Sequence, residues 1–559
     1  MKSLDKKNRI YNRNLTKKSF VIILMMLVLY SCEGILEEDP ISLAVSEQHY
    51  KTQNGILDGL KAAYTPLRSW YGNGEGGNYL THAGTDIWTN GFGGAKNNPS
   101  FNNYDQNLLG THDYFGRLWD NYYKGINQCN TIIGRTPDVI DMNDSEKSIV
   151  VGEARFLRAL YYFDLVRQFG DVHFTLEETR GVETEANRTP INTIYNDGII
   201  PDLEFAISNL PDEALQYGRA TKPAAEALLA RVKLTLSEWG DAEQLAKNVI
   251  DNYNFSLVEP LSELWKIEND VNEEIIWSVQ YTSDPLTNEG GNTWHLYFLS
   301  TYYRNPALVE SIEYGRTWQR LMPTNYFYNL WDVESDARWD NSFLTVWIAN
   351  ITATINGHIV NPGDTAIKMV VHTVDDAIKA SAPYWYIDYR NEDVTTQTDN
   401  LQFGGLNRSL FPSLWKYYDN LRPFTYATDG RRDFPVIRLA EMYLIVAEAA
   451  HNQGKNDIAA EFINQLRKRA IKPGKEENML VTAQDIDLNF ILEERARELC
   501  GEMHRWYDLK RTGTLIERVK QFNPDASPNI KEMHLVRPIP QTQIDRVSNP
   551  GEFKQNPGY

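Results

Sequence analysis

Cysteine is scarce: three among 559 residues, at Cys32, Cys129 and Cys500. There is no Cys-x-x-Cys pair and no Cys/His spacing of the kind that holds zinc, which excludes a disulfide framework and a metal staple. Cys129 and Cys500 sit in helical patterns far apart and read as two buried free thiols more readily than as a bridge. Long apolar runs are equally scarce. The one run of note, Phe20 to Tyr30, has 11 residues, short of the ~20 that a spanning helix needs, so a polytopic membrane protein is excluded. Positive charge is in deficit, with 56 Lys/Arg against 75 Asp/Glu and a net charge of −19. Residues 1–31 hold seven of the cations against Asp5 alone, so the chain without them carries −25. A body that acidic repels polyphosphate, which argues against nucleic acid as a partner. Gly-x-Ser-x-Gly, His-Glu-x-x-His and P-loop patterns are also missing, and with them common signals of hydrolase, metalloprotease and nucleotide chemistry.

The basic N-terminus is an address. Lys17-Lys18 precede the apolar run, which has the length of a secretory h-region. It closes in Leu29-Tyr30-Ser31-Cys32, which resembles a bacterial lipobox, although Tyr30 is bulkier than usual there. Cleavage before Cys32 and acylation of its thiol follow, with several acyl chains giving durable membrane attachment. Residues 1–31 are thus read as a lipoprotein signal peptide and 32–45 as a lipid-anchored tether. The acidic Glu33, Glu37, Glu38 and Asp39 resemble an export mark toward the outer leaflet.

The rest, with 42% hydrophobic residues, is a folded body whose length suits roughly three to five domains, or one large domain with an insertion. Residues 46–255 read as helical. Phe156, Leu160 and Phe163 recur at helical spacing beside Leu157, Tyr161 and Leu165, with Arg155, Arg158 and Arg167 between them, as in a helix packed on two sides. Two helix pairs share one plan. Pro223–Glu238 turns at Gly240-Asp241 into Ala242–Tyr253, and Val436–Asn452 turns at Gly454-Lys455 into Ile458–Arg469. Small residues (Ala242, Ala246, Ala459, Ala460) open each second helix and allow close approach, the physical content of tetratricopeptide-type hairpins. The spacing therefore predicts a mainly α fold. A helix-hairpin scaffold at 46–255 and 436–559 would flank a loop-rich insert at 256–435 with a few short strands. In that insert Ile275, Trp277, Val279 and Tyr281 alternate as a strand. Asn356-Gly357 between Ile351–Ile355 and His358–Val360 predicts a type I′ hairpin. Nine of the 14 tryptophans fall there.

Several stretches are recognisable. The run Gly152-Glu-Ala-Arg-Phe-Leu-Arg-Ala-Leu-Tyr-Tyr-Phe-Asp-Leu-Val-Arg-Gln-Phe-Gly-Asp171 resembles the conserved helix of the SusD/RagB family of surface nutrient-binding lipoproteins. So do Pro435–Ala449, Glu493–Leu499 with Arg505–Arg511, and Arg537-Pro-Ile-Pro540 with Gln555-Asn-Pro-Gly-Tyr559. His173, where proline is usual, and Cys500-Gly501 depart from the pattern. The resemblance implies a SusD-like fold and a non-enzymatic role at the outer membrane. Such a protein captures oligosaccharides, or in some members peptides, and delivers them to a TonB-dependent transporter of the SusC type. It implies no cofactor; a structural calcium stays open, since Asp-rich loops allow one but show no EF-hand pattern. Glu493, Glu494, Arg495, Arg497 and Glu498 read as structural ion pairs at helical spacing.

Glycans offer hydroxyl rims and C–H faces, so tryptophan and tyrosine stack on the faces while Asp, Asn and Arg bond the rims. Trp88, in the polar loop Gly84–Gly91, is the leading candidate, with Asp86 and Asn90 beside it. Trp294 and Trp318 lie in glycine-bearing polar segments, with Tyr302, Tyr303 and Arg316 as nearby hydrogen-bonding candidates. Trp119, Trp239 and Trp506 read as helix packing, and Trp277 and Trp347 as core. A carboxylate pair for glycoside cleavage and a bare protein-binding repeat module are the rival classes. The motifs speak against the first and the aromatic insert against the second.

Overall fold

The computed structural model describes residues 46–72, 75–288, 290–388 and 408–559. The signal peptide and the whole tether, Cys32 included, lie outside the described residues.

Helix α1 (Gln53–Tyr64) packs on α2 (Asp113–Arg135), and α2 on α3 (Asp144–Phe169). α3 starts in a capping box, Asn143 with Glu146, and is buried almost all round from Val150 onward. Its polar residues survive burial by pairing. Arg158 makes a two-bond pair with Asp202 of α4 (Ile200–Asn209), at 2.7 and 2.8 Å, and Arg167 lies over the rings of Phe163 and Tyr507.

α5 (Lys222–Thr235) and α6 (Trp239–Asn252) form the first hairpin, and α7 (Leu439–Asn452) and α8 (Asn456–Lys468) the second. In the first, the turn comes earlier than the sequence suggests. Ser237 takes the positive φ of 60°, and Gly240-Asp241 sits inside the first turn of α6. In the second, Gly454 supplies the turn as expected, but Val436 belongs to a strand, not to the helix. Ala242, Ala246, Ala459 and Ala460 are all buried. α6 packs against α7, so the two hairpins stack. The joint is fastened by Arg231 on Glu441 at 2.5 and 2.7 Å, and by Glu243 on Gln453 and Lys455.

The intervening segment carries short strands. β1 (Trp88–Asn90) precedes the hairpins in sequence and pairs antiparallel with β3 (Leu321–Pro323). β2 (Ile275–Val279), the predicted strand, pairs antiparallel with β9 (Phe434–Arg438), which runs directly into α7. β4 (Val346–Ile348) and β8 (Trp385–Asp388) flank β7 (Thr365–Val370), β4 antiparallel and β8 parallel to it. β5 (Ala353–Ile355) and β6 (His358–Val360) form the expected hairpin, with φ of 50° at Asn356 and 81° at Gly357, as a type I′ turn requires.

A buried ion network fastens this segment to the scaffold. Glu498, at the end of α9 (Leu488–Glu498), accepts hydrogen bonds from Arg338, Arg438 and Arg469 at 3.1, 2.9 and 2.9 Å. Glu494, one turn earlier, accepts from Arg338, Arg467 and Arg497. Glu274 on the approach to β2 joins through Arg438 and Arg469. Glu494 and Glu498 serve structural ion pairs, as expected, but the pairs reach beyond their own helix to Arg338, Arg438, Arg467 and Arg469, and both carboxylates are buried and held by several guanidinia at once. Burial alone would raise Glu494; Arg338, Arg467 and Arg497 together hold it well below the usual carboxylate range. Cys129 and Cys500 are buried and free, with burial pushing both thiols up.

Candidate functional site

The candidates divide between core and surface. Trp88 is fully enclosed, its ring 4.9 Å from Phe298 and 5.7 Å from Phe327, because the loop that bears it is strand β1 clamped against β3. Asp86 is buried in ion pairs with Arg505 of α10 (Arg505–Arg511) and Arg518 of α11 (Leu515–Phe522). Burial would raise its carboxyl, but the two arginines hold it below its ordinary value. Asn90 is buried and bonds Asn103. Trp294 is buried against Phe434 at 4.9 Å and donates its indole N–H to the carbonyl of Gly501, inside the motif that departs from the family pattern. Tyr302 is buried too, its hydroxyl donating to Gly315 and accepting from the Ser311 N–H. A ring without an open face cannot stack on a ligand, so Trp88, Asp86, Asn90, Trp294 and Tyr302 are support, not contact. Polar glycine-bearing loops suggested exposure, but here the glycines serve close backbone packing.

Trp318, Tyr303 and Arg316 do reach the surface, on segments joined by the hydrogen bond from the Tyr302 hydroxyl to the Gly315 carbonyl. Trp318 is half-buried, propped edge-on by Tyr297 at 5.2 Å, with the Arg320 guanidinium 5.9 Å from its ring centre. Tyr303 is 39% exposed and leans on Tyr302. Arg304, the next residue, sets its guanidinium 5.8 Å over Phe92, itself half-buried. Phe92 begins a short helix, Phe92–Asn97, whose start is laced to the segment that bears Trp318. Gly91 donates to Arg320, Gly93 to Gln319, and Arg320 Nη1 to the Gly93 carbonyl, at 3.0, 2.9 and 3.0 Å. A Cβ at Gly93 would stand 2.0 Å from the Trp318 carbonyl oxygen, so only glycine fits. Gln319 holds φ of 52°, a strained value for a side-chain-bearing residue, and that kink separates Trp318 from Arg320. Arg316 reaches across to the carbonyl of Tyr426 at 3.3 Å, joining a loop whose Phe424 and Tyr426 are 58% and 64% exposed.

These neighbouring segments make Phe92, Tyr303 and Trp318, with Arg304, Arg316 and Arg320 among them, the candidate shelf. Phe92, Arg304, Arg320, Phe424 and Tyr426 were not singled out from the sequence. Asn90-Gly-Phe-Gly-Gly94 was the available signal, an aromatic among glycines like Trp294. The shelf's underside is held by the C-terminal part of the chain. Asp525 accepts from Thr89 and, in a two-bond pair at 2.6 Å each, from Arg408, whose other contact is the Asn90 carbonyl. The two larger of the clefts elsewhere measure about 710 Å³ beside Tyr64, Tyr217 and Trp277 and about 630 Å³ beside Trp119, Tyr123 and Phe553. Their indoles are buried in core contacts and present no open face.

Comparison with known proteins decides the lineage. The SusD family model matches residues 273–559, just over half of the chain, and a second model, "Starch-binding associating with outer membrane", matches residues 56–234. The chain belongs to the SusD family. Among curated SusD-family relatives, SusD-like protein P25 of Formosa agariphila is 27% identical, over 94% of this chain and 95% of its own. The starch-binding protein SusD of Bacteroides thetaiotaomicron is 28% identical, over 78% of this chain and 76% of its own. Among solved structures, surface glycan-binding protein A of Bacteroides thetaiotaomicron, in complex with laminarihexaose, superposes with a TM-score of 0.67. It is 20% identical, over 90% of this chain and 99% of its own. A laminarin-binding SusD-like protein gives a TM-score of 0.64 at 24% identity, over 91% of this chain and 100% of its own. At those identities the superpositions establish the SusD-like, mainly helical fold. Among the described residues, no helix is long and apolar enough to cross a membrane.

Proposed function

We propose that this protein is a cell-surface glycan-binding lipoprotein of the outer membrane, anchored through acylated Cys32. It captures oligosaccharide or polysaccharide on the Phe92–Tyr303–Trp318 shelf and passes it to a SusC-type TonB-dependent transporter. The reading is supported by half-exposed rings and guanidinia carried on neighbouring segments above a buried, ion-paired frame. Flat rings cover the C–H faces of a sugar at small entropic cost, and the guanidinia donate to its oxygens. A preformed shelf spends little on ordering itself, which suits capture of a dilute ligand. Binding, without bond cleavage, is the activity proposed, and it needs no metal or cofactor. The names and ligands of the SusD-family relatives support the class of ligand but not its identity.

The test is retardation of the mature chain in native gels containing plant, host and microbial polysaccharides, repeated with Trp318→Ala, Phe92→Ala and Tyr303→Ala. Loss of one stacked ring costs about 1–3 kcal/mol by analogy with other stacking platforms, so Trp318→Ala binds roughly 5- to 100-fold more weakly. If all three variants ran like the parent in a retarding gel, the shelf would not be the site. Release of reducing ends from the retained polysaccharide would point instead to an enzyme.

A further inference from the structure

The acidic chain gathers cations at the shelf. Between residues 304 and 320 there are three arginines against Glu310 and Glu313, in a chain of net charge −19. Most other arginines around the base of the site are spent: Arg408 on Asp525, and Arg505 and Arg518 on Asp86. Arg304 and Arg316 are not. Among the described residues neither has a carboxylate at ion-pair distance; Arg304 lies over the Phe92 ring, and Arg316 makes one 3.3 Å bond to a backbone carbonyl. Of the two acids nearby, Glu310 feels Arg316 at longer range while accepting a backbone hydrogen bond from Thr317, and Glu313 lies toward Tyr314 and Tyr418. A guanidinium resting on a ring keeps its N–H edge available, and that edge matches a carboxylate or sulfate with two parallel bonds.

We propose that the glycan held here is anionic, with Arg304 and Arg316 reading its carboxylate or sulfate groups while Phe92 and Trp318 cover its ring faces. This rests on the glycan-capture reading and narrows it. The geometry suits such a ligand. A pyranose laid flat on an aromatic ring carries an equatorial carboxylate or sulfate out past the ring's edge. At this shelf the Arg304 guanidinium stands 5.8 Å from the centre of the Phe92 ring, and Arg316 reaches out toward Tyr426. A neutral glucan would offer them only hydroxyl oxygens, which a guanidinium bonds more weakly than an anion.

The experiment titrates the mature chain by calorimetry with alginate (carboxylate), ι-carrageenan (sulfate) and laminarin (neutral). Each titration is run at low salt and again at about 0.5 M NaCl, where charges are screened within a few ångströms. Arg304→Gln and Arg316→Gln are measured alongside, with thermal melts to show that they fold, and Arg316→Lys tests whether charge alone restores binding. Charge-assisted bonds to an anion are about twice as strong as neutral ones, so each Gln variant should bind the anionic glycan about 10-fold more weakly or worse. Salt should weaken the parent's binding similarly, and Arg316→Lys should recover part of the loss. Alginate alone bound identifies carboxylate as the feature read, and carrageenan alone identifies sulfate. Preference for laminarin, or anionic binding indifferent to salt and to both Gln variants, overturns the proposal and leaves glycan capture standing. A folded chain that binds none of the three and is retarded by no polysaccharide overturns both.

Discussion

Removing the Glu498 carboxylate should loosen the joint between the strand-bearing segment and the helical scaffold. The side chain is buried and accepts from Arg338, Arg438 and Arg469. In Glu498→Ala each arginine keeps another acid: Asp336 and Glu494 for Arg338, Glu274 and Glu502 for Arg438, and Glu274 for Arg469. None is stripped bare, but the cluster gains one uncompensated positive charge away from water. Breaking a buried pair costs about 3–5 kcal/mol, far above the tenths of a kcal/mol of an exposed helical pair. With a urea slope of about 3 kcal/mol/M, the unfolding midpoint should fall by about 1 M or more at unchanged slope. A double-mutant cycle with Arg338→Met isolates the pair, whose coupling should be between about 0.5 and 3 kcal/mol. A Glu498→Ala protein within about 1 kcal/mol of the parent, or zero coupling, would show that the network does not fasten the two parts and refute the reasoning.

Other outcomes follow from the same coordinates. Gly93→Ala puts a methyl group against the Trp318 carbonyl; it should cost most of the glycan affinity in a gel-retardation assay while lowering the melting temperature only slightly. Trp294→Ala should instead cost about 3–5 kcal/mol of stability in urea titration, the expectation for an emptied core indole, and should reduce binding only as far as it reduces folding. Cys129 and Cys500 should resist a thiol reagent in the native protein and react only on unfolding, since both are buried with their thiols pushed up. Burial would raise Glu441, but Arg231 draws it from 4.5 to about 2. A carboxylate depressed on folding contributes stability above its unfolded pKa and loses it as pH falls toward the folded one. Parent melting temperatures should therefore drop between about pH 4.5 and 2, and Glu441→Gln should show a shallower drop in that window.

The scaffold was legible because its signals are local. Helical spacing, small residues at Ala242 and Ala459, and the Asn356-Gly357 turn depend on neighbours a few positions away, and the structure follows them. At Gly240 the turn falls three residues earlier, at Ser237, through local bonds. The error at Val436 came where a distant partner overrode the local pattern: Val436 would continue the helix, but the pairing of β9 with β2 makes this stretch strand. The site was less legible for the same reason. Whether a tryptophan is shelf or core depends on what lies behind it, and for Trp88 that is β3 and Phe298, over 200 residues away. Trp318 stays at the surface because Tyr297 covers only one edge. Composition said that aromatic residues abound; only the backbone could say which remain open.

The strand beneath the shelf is tied from the far end of the chain. Thr89 bonds Asn523, 434 residues later, and Asn523 donates back to the carbonyls of Thr85 and Trp88. Every ring of the shelf is therefore synthesised long before the residues that hold its strand in place. A nascent chain has no finished shelf until its last few dozen residues have folded home, and a fragment ending before Asn523 should retain the rings yet lose their support.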